Sequence, residues 1–126
     1  MKNYITTAIQ SVINDNLRKM EHSNEDFHSN FDVFFTISSH AHYLAYKENK
    51  ILSFTLKCLE EEGYTRENII NHLDNNINYF NRELIETKPL RESTNMMANI
   101  AHIMDREVYQ HLYRLYTSLR YNVIHH

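Results

Sequence analysis

Two Arg-x-x-x-x-His spacings lie near the end of this 126-residue chain, Arg106 to His111 and Arg120 to His125. Arginine and histidine together suit phosphate chemistry. A guanidinium stabilises charge developing on phosphoryl oxygens, and an imidazole, which titrates near neutrality, moves the proton of the attacking or leaving oxygen. Such a pair needs no metal. On an ideal helix, residues five apart differ by about 140° in direction, so a second chain would have to complete the site.

The second spacing reads Leu119-Arg120-Tyr121-Asn122-Val123-Ile124-His125 and keeps an apolar pair before the histidine. In these residues the last helix resembles the HEPN group of small helical-bundle proteins. Many ribonucleases of that group carry an arginine followed four to six residues later by histidine, and they assemble the site across a homodimer. The resemblance implies metal-independent RNA cleavage, with Arg120 as charge stabiliser and His125 as proton carrier. The place after the arginine, usually polar in such motifs, holds Tyr121 here. Arg106 and His111 form the secondary candidate, since Glu107 follows that arginine and neutralises it. This ribonuclease reading is the alternative one.

The leading reading rests on the same segment taken as a surface. Residues 88–126 hold five Lys/Arg against three Asp/Glu, whereas residues 1–87 hold eight against thirteen. At 100° per residue, His102, Arg106, Tyr109, Tyr113, Tyr116 and Arg120 form a stripe beside the apolar line Met97, Ile100, Met104, Val108, Leu112, Leu115, Leu119 and Val123. Tyrosine and arginine are enriched where macromolecules grip one another. A tyrosine row suits a half-wet boundary, because the ring is buried while the hydroxyl stays available. The stripe is therefore the expected binding surface of an inhibitor- or immunity-type regulatory protein. Its partner would be a second copy of the chain, as homodimers are the commonest oligomers, or another protein.

Glu48 is a different kind of candidate. The apolar series Ile37, Ala41, Leu44, Ala45, Leu52 and Leu59 passes through its position. A carboxylate there is either bonded across a helix seam or serves as a pocket acid. Glu60-Glu61-Glu62 falls at an expected helix C-terminus, where negative charge is unfavourable.

No metal site or cofactor is expected. The side chains of His40 and His42 diverge by about 200° on a helix and cannot chelate one ion. Glu107 and His111 are four apart rather than at the Glu-x-x-His spacing of di-metal bundles, and no cysteine cluster or His-Glu-x-x-His stretch occurs. Nucleotide-binding loops and a Ser-His-Asp order are absent too.

The elements that must position these groups are helices. One glycine and one proline are too few for the reversals of a multi-stranded sheet. The single cysteine, Cys58, excludes an intrachain disulfide, fits a reducing compartment and reads as a core thiol. Residues 1–20 do not resemble a secretion signal, and no window approaches the apolar length of a membrane span. A soluble, cytoplasmic protein is expected. Net charge −3 argues against bulk nucleic-acid affinity without excluding a local basic site.

Apolar periodicity places the first helix at 3–20, with Ile5, Ile9, Val12, Ile13, Leu17 and Met20 on one face. Residues 21–29 lack a period and read as a loop, with Ser29 and Asp32 opening the second helix at about 30. That helix runs to 62, is apolar over more than half its circumference and is expected to be the most buried, with Gly63 ending it. The third helix, capped by Thr65, covers 66–85 and turns a row of asparagines to solvent. The fourth covers 90–124, opened by Pro89, Ser93 or Thr94. Together these predict one all-α domain: an antiparallel four-helix bundle-like fold with a long central second helix.

Overall fold

The computed structural model describes residues 1–29, 34–86 and 96–125, with side-chain surroundings given for 1–21, 40–86 and 102–125. The chain is all-α, as expected, with helices α1 (Lys2–Ser29), α2 (Phe34–Glu62), α3 (Arg66–Glu86) and α4 (Met96–Ile124). They fall into two compact units, one of Asn3–Cys58 and one of Leu59–His126 together with Met1–Lys2.

In the first unit, α1 and α2 run antiparallel. Ile5, Ile9, Ile13 and Asn16 of α1 are buried, as are Ala45, Glu48, Asn49, Leu52 and Thr55 of α2. Two expectations are corrected here. The stretch 21–29 is helical rather than a loop, and Ser29, expected to cap α2, belongs to the helical residues of α1. Residues 21–29 contain no glycine or proline, so a helix already nucleated continues through them at small cost per residue. Leu17, expected in the core, is exposed, and Asn16 takes the buried place beside it.

The second helix is long, as expected, and its 29 residues are matched by those of α4. Its burial is narrower than its apolar arc suggests. Among the described residues, α4 buries six apolar side chains and α2 three. Phe54, counted in the apolar arc read from α2, faces water instead. Phe31, Phe34, Phe35 and Ile37 of that arc lie outside the residues whose side chains are described.

In the second unit, α3 and α4 form an antiparallel hairpin. Ile69, Leu73 and Phe80 of α3 and Val108, Tyr109, Leu112, Tyr116, Leu119 and Val123 of α4 are buried. Asn71, Asn75, Asn78 and Asn81 face solvent, as the apolar period through them required. Gly63 takes a positive φ of 102° and its N–H bonds the Leu59 carbonyl at 2.8 Å, which ends α2 where expected. Thr65 Oγ1 accepts from the Asn68 N–H at 3.1 Å, the expected cap of α3. α4 is described from Met96; its expected start at residue 90 and the candidate caps Pro89, Ser93 and Thr94, like Asp32, lie outside the described residues.

Candidate functional site

The α4 stripe is divided by the structure: Tyr109 and Tyr116 are turned inward, while His102, Arg106, Tyr113 and Arg120 are half-buried. Tyr116 is fully buried and Tyr109 nearly so. The Phe80 ring of α3 meets Tyr116 edge-on at 5.2 Å between centroids and stacks on Tyr109 at 6.0 Å. Tyr79 adds an edge contact to Tyr109 at 5.9 Å. Such aromatic pairs contribute about 0.5–1.5 kcal/mol beyond area burial, so these rings belong to the hairpin core. The expectation of a half-wet boundary is corrected for Tyr109 and Tyr116, whereas Tyr113 is half-buried. The reason is angular: on the helix, Tyr109 and Tyr116 lie only about 60–80° from Leu119, inside the arc that α3 covers.

The arginines of the stripe are tied to α3 as well. Arg106 donates from Nη1 to the Leu84 carbonyl at 2.7 Å. Arg120 donates from Nε to Asp74 Oδ1, forming an ion pair whose two side chains are each about 40% exposed. Arg66, the first residue of α3, donates to the Ile124 carbonyl at 3.1 Å. Carbonyls in the last turns of α3 and α4 thus each accept from a cation on the other helix, where the helix dipole favours positive charge.

His102 and Tyr113 are half-buried. His102 Nε2 is shielded from solvent and has no hydrogen-bond partner among the described residues. His111 and His125 are exposed. The His125 ring lies against Tyr121 with centroids 4.1 Å apart, while Arg120 is turned to Asp74. The two halves of the Arg-x-x-x-x-His pair thus have different neighbours within the chain.

Glu48 is buried, and Asn16 donates a hydrogen bond to it across the seam, in keeping with the first of its two expected roles. Asn16 Nδ2 donates to Glu48 Oε2 at 3.1 Å and to Asn49 Oδ1 at 2.9 Å, and Asn49 Nδ2 donates to the Ile13 carbonyl at 3.3 Å. This is a packed polar node of the α1–α2 seam. An open depression of about 360 Å³ lies elsewhere on α1, lined by Thr6, Thr7, Gln10, Ser11, Asn14 and Arg18. Its one charged group, Arg18, is paired with Asp15 at 2.9 Å.

Glu62 is not merely a solvated helix end, because His72 Nε2 lies 2.6 Å from its Oε2. Cys58 is half-buried, not a full core thiol. Among the described residues, no three His, Cys, Asp or Glu side chains are gathered closely enough to hold a metal ion. Within the same limits, no helix is long and apolar enough to cross a membrane.

The surface that sequence reasoning missed is on α2. Phe54 is 65% exposed and Tyr46 54% exposed. At 100° per residue Tyr43, Tyr46, Lys47, Lys50, Phe54 and Lys57 fall within an arc of about 100°, opposite the buried line Ala45, Glu48, Leu52 and Leu59. Lys47 Nζ stands 5.9 Å from the Tyr43 ring centroid. The signal was present as lysines interleaved with rings at helical spacing, but an apolar arc so wide reads as core. Comparison with protein-family models, with curated proteins and with solved structures gives no match to this chain.

Proposed function

We propose that this chain is a small helical interaction protein whose gripping surface is the outer face of α2. One observation carries the reading: Phe54 and Tyr46 stand in water on the same face as three lysines, directly opposite the buried side of their helix. Large rings kept exposed in a line are uncommon on a surface that meets only solvent, and aromatic anchors flanked by cations are typical of binding patches.

The α4 segment has the matching composition, yet Tyr109, Tyr116, Arg106 and Arg120 spend their rings and charges on α3. What α4 still offers to a partner is its outer edge, Arg114, Tyr121 and His125, with Tyr121 62% exposed. A regulatory role through capture of a partner requires no catalytic group.

The test is recovery of partner from cells of the source, using tagged wild type beside a Tyr46→Ser/Phe54→Ser variant. Both changes are at exposed positions, so the melting temperature should stay within a few degrees, as for surface substitutions of about ±0.5 kcal/mol. The proposal expects the variant to lose a species that wild type retains. Equal recovery by both proteins would remove α2 as the gripping surface.

A further inference from the structure

We infer that the occupant of the outer face of α2 is a second copy of this chain, its own α2 lying antiparallel across the first; this rests on the reading of α2 as the interaction surface. Lys50, Phe54, Lys57 and Glu61 follow one another at spacings of four, three and four residues. On this continuous helix they therefore fall within about 60° of one another. Alternating spacings of that kind make the seam along which two helices pair. All four side chains are exposed, Phe54 at 65%. Among the described residues, Lys50, Lys57 and Glu61 enter no hydrogen bond or ion pair, although Lys57 and Glu61 stand one turn apart.

The order of the charges along the seam names the occupant and its direction. A two-fold axis at the level between Thr55 and Leu56 sets Lys50 opposite Glu61 of the second copy, and Phe54 opposite Lys57 of the second copy. Each contact is made twice, because the patch pairs with itself. Every lysine of the seam then meets a carboxylate or an aromatic face, and both attract a cation. A parallel pairing would oppose Lys50 to Lys50 and Lys57 to Lys57, and like charges face to face are unfavourable. A polyanion would meet Glu61 in the same row as the two lysines. The pairing also accounts for acid at the end of α2. Glu61 lies in the last turn, which holds no basic residue and where the helix dipole disfavours negative charge, so a lysine brought from the second copy offsets both. From Lys50 to Glu61 the seam covers about 16 Å of helix, so association should be modest and weakened by salt.

The experiment is sedimentation of the whole chain over a concentration and salt series. Wild type should pass from monomer to dimer as concentration rises. Lys50→Glu and Glu61→Lys should each weaken the dimer by about tenfold, since each loses two exposed ion pairs and opposes like charges in their place. An equimolar mixture of the two variants should recover dimer, because in the mixed pair both positions again meet the opposite charge. Damage to the fold by either substitution would not be reversed by mixing, and melting temperatures check each variant separately. Wild type that stays monomeric throughout would overturn the assignment, as would a dimer that neither variant weakens or that mixing does not restore. If wild type is monomeric while Tyr46→Ser/Phe54→Ser still loses its co-purified species, the interaction surface stands and the second copy falls as its occupant. A dimer dissolved by Tyr121→Ala but by neither α2 variant would move the surface to α4 and remove both readings.

Discussion

Arg106 holds the end of α3 from the neighbouring helix, its Nη1 2.7 Å from the carbonyl oxygen of Leu84. The side chain is half-buried, and its bond is charge-assisted at the negative end of a helix dipole. Arg106→Met keeps much of the stem and removes the cation, and should cost about 1–2 kcal/mol. Arg114→Met, at an exposed position of the same helix, should fall within about 0.5 kcal/mol of wild type. Urea denaturation of the pair measures the difference. Equal midpoints would mean that Arg106 does not clamp the hairpin.

The buried node of α1 and α2 gives a second expectation, with a pH signature. Asn16→Ala removes a donor from both Glu48 and Asn49 and should destabilise by about 2–3 kcal/mol. Asn16→Asp places a second carboxylate against Glu48 and should cost more at neutral pH. That excess belongs to the doubly ionised pair, so it should shrink as pH falls and one carboxyl takes a proton. Thermal melts of the two variants from pH 7 down to pH 4 test the crossover. A constant gap between them would place the introduced carboxylate away from Glu48.

Tyr116 is a core residue despite its place in a polar stripe. Tyr116→Ala should lose about 3–5 kcal/mol, as do other buried aromatic truncations. Tyr121→Ala should lose little, because its ring is largely in water. Calorimetry on both proteins separates a packed ring from an exposed one. Similar melting temperatures would contradict the hairpin core described above.

Arg120 is paired with Asp74, and the His125 ring lies against Tyr121. Wild type incubated with single-stranded RNA in EDTA should therefore leave the strand intact, and Asp74→Asn should not switch cleavage on. Cleavage that Arg120→Ala and His125→Ala both abolish, in folded protein, would establish the ribonuclease reading instead.

Much of the helical layout was legible in the residues, because caps and periods are local. Gly63 and Thr65 mark the α2–α3 turn, and Leu73 and Phe80 are buried in the period that leaves the asparagines wet. The site was less legible, because whether a ring is buried depends on what stands opposite. Tyr116 and Phe54 are both aromatic residues on amphipathic helices, yet Phe80 covers one and water the other. Similarly, nothing local to Arg120 names Asp74, which lies 46 residues away in sequence. The 21–29 segment failed for another reason: polar residues without an apolar period form helix when no breaker stops them.

The central claim is that α2, rather than α4, presents the gripping face. A photoreactive phenylalanine analogue placed at position 54 in one protein and at position 121 in another compares the two exposed rings directly. Illumination in cells of the source should give a cross-linked species from position 54 and little from position 121. The reverse pattern, with cross-linking at 121 and none at 54, would contradict the account and return the interaction surface to the C-terminal helix.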